Sequence, residues 1–386
     1  MKILTIHNRY LMLGGEDQSH LTEVALLRQQ GNEVDEYIED NKRVAELGMI
    51  QTSINTVWSH ESFLKIQSLL REKKFDLIVA QNLFPLLSPS VYYAAGSAGV
   101  PIIQFLRNYR LFCLNGLALR NNKPCEDCLG CLPLAGIRHA CYRENRAASA
   151  VVAAMLITHR VLRTWNQKVN AFVALTNFSK NLFVRAGLPF EKIFVKPNFI
   201  HPDPGIGNGS GNYALFIGRL SEEKGVHTLL GAWKVLSGTV KLKIVGDGPL
   251  QNMVEEAARS NTSIEYLGRQ SQNQVLDLVK EALFLVFPSL CYENMPRTIL
   301  EAFAVGTPVL AGEIGAATEM IVSGKTGRFF RSGDLFDLAE QVKYLISDVD
   351  LKTKMRLCAR QEYQSKYTLE QNLAFWDNMQ TSVMAR

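Results

Sequence analysis

The chain has 386 residues, which is long for a single hydrophobic core and suits two domains. Its formal net charge of +5 comes without the aromatic-interleaved basic strand or recognition helix of nucleic-acid-binding proteins, so we expect no nucleic-acid partner. Seven cysteines, no recognisable secretion signal and no apolar stretch long enough to span a bilayer predict a cytoplasmic protein.

The positive charge is concentrated in the first half of the chain. Residues 1–200 carry 23 Lys and Arg against 16 Asp and Glu, whereas residues 201–386 carry 19 against 21. Within residues 104–185 the count is 12 against 3. This indicates either a solvated basic surface or one that faces anionic lipid head groups, a pyrophosphate-linked acceptor or an acidic glycan. The second alternative predicts peripheral contact with the inner face of the membrane.

The first half of the chain alternates short apolar runs with helical stretches. A strand over residues 3–7 is followed by Gly14 and Gly15, then by a helix over residues 17–30 and a second strand over 33–38. Further strands are predicted at residues 77–80, 102–106, 171–175 and 193–195. This alternation is typical of a parallel, doubly wound sheet. The glycine pair can bring backbone N–H groups close to an anion, although such a pair is also common in plain turns.

Five cysteines lie close together in the first half. Cys113, Cys125, Cys128 and Cys141 offer four thiolates for a structural zinc ion, with a pair two residues apart between two distant partners. Cys131 is the fifth. The alternative is a set of buried or merely neighbouring thiols without a metal.

The second half restarts the same pattern after a segment rich in Pro, Gly and Asn at residues 197–212. Strands are predicted at residues 213–217, 242–245, 264–267, 283–287 and 309–311, with helices near His227, Leu250, Gln272, Pro296 and Thr318. We therefore predict two Rossmann-like domains with a cleft between them. Their bounds are residues 1–200 and 201–367, and residues 368–386 form a last helix.

Charged residues follow the strands of the second half. Arg219 and Lys224 come directly after residues 213–217, where a guanidinium and an ammonium can hold a diphosphate. The alternative is a salt bridge within the loop to Glu222 or Glu223.

Three further residues are expected to shape a nucleoside pocket. They are Gly246 and Gly248, beside Asp247, and Arg269. These residues do not indicate whether the nucleotide of the donor is UDP, GDP or ADP. The pair Asp348 and Asp350 has the letters of a metal-binding motif, but its place between helices favours capping.

The junction between the strand at 283–287 and the next helix carries two carboxylates, Glu293 and Glu301. Pro296 suits the first position of that helix, so Glu293 lies in the loop and Glu301 inside the helix. The backbone of Asn294, Met295 and Pro296 is predicted to line the same crevice, because open α/β sheets bind ligands at the carboxyl ends of their strands. Two carboxylates there suit a ligand rich in hydroxyls.

The segment PSLCYENMPRTILEAFAVGTPV around this pair resembles the signature of retaining GT-B glycosyltransferases of family four, also called glycosyl transferases group 1. The resemblance implies that Glu293 meets the donor sugar, that Glu301 binds the ribose, and that Arg219 and Lys224 hold the donor diphosphate. It also implies that the loop with Gly14 and Gly15 reaches the phosphates, and that the last helix returns to the first domain.

The resemblance further implies what the protein needs and does. The expected donor is a nucleotide-sugar, with a UDP-hexose favoured, and the acceptor is a hydroxyl of a growing glycan or lipid-linked saccharide. Arg219, Lys224 and helix N-termini can replace a divalent ion, so no metal cofactor is expected for catalysis. The alternatives are a GT-B-like nucleotide-sugar epimerase and a non-catalytic protein that binds sugar nucleotides.

One segment departs from the resemblance. Many similar enzymes have His-Asn-Tyr-Arg where this chain has Arg107-Asn108-Tyr109-Arg110, and that histidine is thought to lie near the 6-hydroxyl of the sugar. Arg107 could match the carboxylate of a uronic acid, which is our hypothesis for donor choice. The alternative is that Arg107 turns to an acidic neighbour or to solvent, while Asn108 fills the space.

Overall fold

The computed structural model describes residues 1–11 and 14–384. They form two compact units. The first unit consists of Met1–Ala118, Cys125–Lys196 and Leu373–Arg386, and the second consists of Leu119–Pro124 and Pro197–Asn372. The second unit therefore includes a short two-stranded hairpin that the chain forms in the middle of the first.

The elements up to Lys196 alternate between strands and helices. In chain order they are β1 (Lys2–Arg9), α1 (Gly15–Gln29), β2 (Glu33–Asp40), α2 (Arg43–Val57), α3 (His60–Glu72), β3 (Leu77–Ala80), α4 (Ser90–Ser97), β4 (Ile102–Phe105), β5 (Leu119–Arg120), β6 (Lys123–Pro124), α5 (Leu134–Arg138), α6 (Arg146–Val161), α7 (Thr164–Lys168), β7 (Ala171–Ala174), α8 (Asn177–Arg185) and β8 (Ile193–Val195).

The first unit is built on a six-stranded parallel sheet in the order β2-β1-β3-β4-β7-β8. The strands β3, β4 and β7 are buried along their whole length, because helices cover both faces of a parallel sheet. The edge strand β2 alternates exposed and covered residues instead. The strand order reverses between β1 and β3.

The elements of the second half repeat this architecture. In chain order they are β9 (Tyr213–Ile217), α9 (Val226–Leu236), β10 (Lys241–Val245), α10 (Gln251–Ser260), β11 (Ile264–Gly268), α11 (Gln272–Glu281), β12 (Phe284–Phe287), α12 (Arg297–Ala304), β13 (Val309–Gly312), α13 (Ala317–Met320), β14 (Gly327–Phe330), α14 (Leu335–Ser347), α15 (Val349–Lys366) and α16 (Leu369–Met384). Short 3-10 turns occur at Phe190–Lys192 and Glu222–Lys224.

The second unit has a six-stranded parallel sheet in the order β11-β10-β9-β12-β13-β14. This is the strand order of a dinucleotide-binding sheet, with its reversal between β9 and β12. Trp233 of α9 lies fully buried in the core against the sheet. The predicted pair of doubly wound Rossmann-like domains is thereby confirmed.

The end of the chain packs on the first unit through a buried polar group. The indole N–H of Trp376, in α16, donates to Glu23 Oε1 of α1 at 2.9 Å. Lys196 Nζ donates to the same oxygen at 2.6 Å. Arg107 lies 3.4 Å from the other carboxylate oxygen of Glu23. Because all of these side chains are buried, α16 is fixed by a charge-assisted hydrogen bond as well as by apolar contact.

Candidate active site

The second sheet brings two loops together where its strand order reverses. Strands β9 and β12 are neighbours, with Ala214 paired to Phe284 and Leu215 to Leu285. Their carboxyl ends therefore lie side by side, and the loop that carries Lys224 meets the loop that carries Glu293. A ligand of an open α/β sheet binds at such a point.

Lys224 and Glu293 form a direct ion pair between these loops. Lys224 Nζ contacts Glu293 Oε1, and the hydroxyl of Ser289 donates to the same oxygen at 3.0 Å. The thiol of Cys291 lies 3.8 Å from that oxygen. The carboxylate is thus held from three sides, and it has a fixed position before any ligand arrives.

Backbone contacts hold the two loops against each other. The hydroxyl of Ser289 and the N–H of Leu290 both reach the carbonyl oxygen of Glu223, at 3.2 and 2.8 Å. Gly225 has φ +71°, and a Cβ there would lie 1.9 Å from the carbonyl oxygen of Pro288. Only glycine permits this approach, which places Lys224 beside Glu293.

The charges of the pair depend on each other. Burial acts to lower the pKa of Lys224, but the attraction of Glu293 outweighs burial and the pKa is raised. Burial and the neighbouring Glu293 raise the pKa of the Cys291 thiol to about 12. At neutral pH the site therefore contains an ammonium and a protonated thiol beside Glu293.

Glu301 has a different environment inside α12. Burial raises its pKa, and Arg297, whose Nε is 3.8 Å from Glu301 Oε1, partly opposes this shift. Pro296 was predicted at the first helical position, which is wrong by one residue. Its backbone is extended, with ψ 119°, so Pro296 lies just before α12. The helix begins at Arg297.

The other predicted donor-binding residues of the second unit lie around the same edge of the sheet. Asn294 and Met295 are buried, and Met295 Sδ accepts the N–H of Asn198 at 3.0 Å. Arg219 is exposed just after β9. Its guanidinium is therefore accessible to an anionic ligand.

The predicted nucleoside residues also lie at carboxyl ends of strands. Gly246 and Gly248 follow β10, and Arg269 follows the neighbouring β11. Arg269 is 3.7 Å from the carboxylate of Asp247, and both side chains are largely exposed. Their predicted role in the nucleoside pocket stays a prediction.

The glycine pair of the first unit lies at the start of α1. Gly14 donates its N–H to Asp17 Oδ2 at 2.9 Å, and Gly15 is the first helical residue. Asp17 Oδ1 is 2.9 Å from His7 Nε2, so a buried carboxylate ties the loop to β1. The predicted contact of this loop with donor phosphates stays a prediction.

Arg107 does not present its charge to a ligand. Its Nε donates to Gln81 Oε1 at 3.0 Å, and its guanidinium pairs with the buried Glu23. The hypothesis of a uronic acid site at Arg107 is therefore not supported, because the guanidinium is buried and engaged by Gln81 and Glu23. Asn108 donates to Glu16 Oε1 at 3.0 Å, so it also contributes to the polar interior of the first unit.

The cysteines do not form the predicted zinc site. Among residues 1–11 and 14–384, no group of three or more His, Cys, Asp or Glu side chains is arranged to hold a metal ion. Cys113 donates to Asn115 Oδ1 at 3.0 Å, and burial raises the pKa of Cys128 to about 11. Within the described residues, the thiols of Cys113, Cys125, Cys128 and Cys141 are therefore not arranged as the tetrahedral set that a structural zinc ion needs.

The acidic pair between the last helices has a structural role. The side chain of Asp348 accepts the N–H of Leu351 at 2.8 Å and caps the start of α15. The predicted capping is confirmed. The pair with Asp350 is accordingly part of a helix start.

Comparison with known proteins identifies the second unit. Residues 202–362 match the family described as glycosyl transferases group 1. These residues are a glycosyl transferases group 1 domain. Glu293, Lys224 and Glu301 all lie within this glycosyl transferases group 1 domain, so the predicted group 1 resemblance is confirmed there, whereas family four and retention stay predictions.

Curated proteins that are similar to part of this chain support the same assignment. A glycosyltransferase from Methanocaldococcus jannaschii is 30% identical over 164 residues, which cover 42% of this chain and 46% of that protein. Glycogen synthase from Mycobacterium tuberculosis is 31% identical over 159 residues, which cover 40% of this chain and 38% of that protein. The chain therefore spans less than half the length of these curated relatives.

A solved structure is similar over almost the whole chain. HepE from Anabaena, in complex with UDP-glucose, has a TM-score of 0.71 at 17% identity, and the match covers 99% of this chain and 100% of that chain. The predicted GT-B fold is thereby confirmed. Among residues 1–11 and 14–384, no helix is long and apolar enough to cross a membrane. The peripheral membrane contact stays a prediction.

Sequence reasoning did not assign three residues of the glycosyl transferases group 1 domain. Ser289 and Cys291 stand in the quoted segment PSLCYE, and their spacing of two and four residues before Glu293 was the available signal. Arg297 stands one turn before Glu301, which is the spacing of a helical ion pair. All three contact or approach a predicted glutamate.

Proposed function

We propose that the protein is a retaining glycosyltransferase that transfers a hexose from a nucleotide diphosphate donor to a hydroxyl of a growing glycan or lipid-linked saccharide. The observation that carries the proposal is the Lys224–Glu293 pair at the strand-order reversal of a glycosyl transferases group 1 domain. A UDP-sugar is the favoured donor, since similar solved structures hold UDP and UDP-glucose.

The pair supplies both kinds of contact that such a donor requires. An ammonium has three N–H donors, so Lys224 can hold Glu293 and a phosphate oxygen at the same time. Arg219, exposed just after the same strand β9, can add a forked contact to the diphosphate. Glu293 accepts hydrogen bonds from sugar hydroxyls, and Glu301 accepts them from the ribose.

Charge stabilisation accounts for the catalytic step. The bond from the sugar to the diphosphate breaks as negative charge builds on the leaving phosphate, and Lys224 and Arg219 stabilise that charge. The acceptor attacks from the face that the leaving group occupies, which retains the configuration. The leaving phosphate takes the proton of the acceptor hydroxyl, so no side-chain base is needed.

Substitution of Lys224 tests this proposal. Lys224→Ala should lower the rate of sugar transfer or donor hydrolysis by about 10² to 10³, because an aligned charge at the transition state is lost. Lys325→Ala, at an exposed position of the same unit, is the matched control and should leave the rate unchanged. Normal turnover by a folded Lys224→Ala protein would contradict the proposal.

Product analysis separates the alternatives. Incubation with a panel of nucleotide-sugars and acceptors should yield a glycosylated acceptor, or free nucleotide and sugar in its absence. An isomerised donor would instead identify an epimerase. Saturable binding without any turnover would identify a protein that only binds sugar nucleotides.

A further inference from the structure

The first unit contains a cavity of about 60 Å³ at the carboxyl ends of β3 and β4. Its inner lining is buried and includes Gln81, after β3, together with Tyr92, Met155 and Trp165 from three helices. Half-buried residues, among them Phe84, complete the lining and mark the side nearest solvent.

The cavity has an amide donor without an acceptor. Arg107 Nε–H can only donate, so the oxygen of the Gln81 side chain must face it, which fixes the orientation of the amide. Within the described residues, 1–11 and 14–384, Gln81 Nε2 has no hydrogen-bond partner, although the residue is only 2% exposed. A buried donor without an acceptor is unfavourable, and a suitable ligand would supply the missing acceptor.

A second N–H donor lines the same cavity. The indole N–H of Trp165 lies beside the hydroxyl of Tyr92, but in the described part of the chain no acceptor meets hydrogen-bond geometry with it. Tyr92 itself donates to Gln104 Oε1 at 2.8 Å. The ring of Tyr92 and the thioether of Met155 give the remaining wall an apolar surface.

The lining offers both hydrogen-bond donors and acceptor lone pairs to a ligand group. The side-chain oxygens of Gln81 and Gln104 accept from Arg107 and Tyr92, and Asn82 Oδ1 accepts the N–H of Phe84. Because an amide oxygen has two lone pairs, each of these oxygens can accept a further N–H from a ligand. By volume the cavity has room for several waters, at roughly 10–15 Å³ for the centre of each.

The two arginines of the lining are engaged by other groups of the first unit. Arg107 pairs with Glu23, which also pairs with Lys196. The guanidinium of Arg110 donates to the carbonyl oxygen of Leu114 and stacks over Phe84, 4.4 Å from the ring centre. A neutral carbonyl group matches the N–H donor that Gln81 presents at the inner wall.

We propose that this cavity binds the acetamido group of an N-acetylated amino sugar. The carbonyl oxygen accepts from Gln81 Nε2 and the indole of Trp165, and the methyl group contacts Tyr92 and Met155. The inference rests on the proposed transferase function for the origin of the sugar, which is either the donor or the acceptor. The recognised chemistry is the same in both cases.

Binding of small glycosides to the full-length protein tests the proposal without turnover. Methyl N-acetylglucosaminide and methyl glucoside are compared by saturation-transfer NMR and calorimetry, with and without UDP. Preferential binding of the first compound, with the strongest saturation at its acetyl methyl group, is expected for an acceptor sugar. UDP-N-acetylglucosamine and UDP-glucose are compared in the same way for a donor sugar.

Two variants locate the effect. Gln81→Glu keeps the oxygen that Arg107 needs and removes the N–H donor, so it should lower the preference for the acetamido compound about tenfold. Met155→Phe fills the apolar end and should give a similar loss while Gln81 is unchanged. Gln67→Glu, on α3, is the matched control and should change nothing.

The outcomes distinguish this inference from the proposed function. Equal binding of both compounds in both arms, or an unchanged preference in a folded Gln81→Glu protein, would overturn it, as would a crystal soaked with N-acetylglucosamine that shows only ordered water in the cavity. Acetamido-dependent binding without sugar transfer would support the proposed binding in the cavity and contradict the proposed transferase function.

Discussion

Glu293 and Glu301 show how two identical side chains come to lie in different environments. Glu293 lies in a loop and is neutralised by Lys224, whereas Glu301 lies in a helix with Arg297 at a longer distance of 3.8 Å. Burial raises the pKa of Glu301. Such a carboxyl needs hydroxyl donors to offset its burial, and a ribose can supply them.

This difference predicts separable effects on binding. Glu301→Ala should weaken binding of the free nucleoside diphosphate and of the sugar donor by similar factors, because both carry the ribose. Glu293→Ala should weaken binding of the sugar donor alone. Titration calorimetry with both ligands measures this, with Glu340→Ala on an exposed helix position as the control. The reverse pattern would mean that the two roles are exchanged.

At the scale of an element, the turn before α9 depends on one backbone conformation. Gly225→Ala should destabilise the second unit by about 2 kcal/mol or more, since it adds left-handed strain to a clash with the carbonyl oxygen of Pro288. Gly238→Ala is the control, because its φ is +84° but nothing lies within 4 Å of the added Cβ. Urea unfolding measures the loss of stability in both variants. Equal losses would show that the structure relieves the clash between the added Cβ of Gly225→Ala and Pro288.

The last helix offers a second prediction at this scale. Trp376→Phe should lower the free energy of unfolding of the first unit by about 1.5–3 kcal/mol, because Glu23 loses a hydrogen bond to its charge. Trp58→Phe is the matched control, since that ring packs against Phe63 and Tyr93. A loss no larger than in the control would show that the indole N–H contributes little. Thermal unfolding of both variants is the measurement.

At the scale of the whole molecule, a buried histidine makes stability depend on pH. Burial lowers the pKa of His20 from 6.5 to about 4, assisted by His7, which stacks on it at 4.7 Å, and opposed by Glu36. Between these two values the unfolded chain binds more protons than the folded one. Stability is therefore complete above about pH 6.5 and falls as the pH decreases towards 4.

The predicted contribution of His20 to the free energy of unfolding is up to about 3 kcal/mol, from about 1.36 kcal/mol per pKa unit. Denaturant unfolding of the wild type and of His20→Gln from pH 7 to 4.5 measures it. The variant should lose less stability on acidification, because carboxylates contribute equally to both proteins. Parallel pH profiles would show that His20 does not carry the effect.

The sequence by itself determined the architecture. Short apolar runs such as Tyr213–Ile217 and Phe284–Phe287 indicate buried strands when helical stretches separate them, and the structure has both within one residue of the prediction. The segment from Pro288 to Val309 determined the family, because it combines a strand end, two glutamates and a helix start. These features are local, so the order of residues is sufficient to show them.

Only the tertiary structure decided which side chains meet. The Lys224–Glu293 pair joins residues 69 apart, and it exists because β12 lies beside β9 in the sheet. Arg107 turns to Glu23, 84 residues away, and this contact favours the alternative to a uronic acid site. Composition and spacing report burial along one segment, whereas the partner of a charge depends on strand order and on backbone approaches such as that of Gly225 to Pro288.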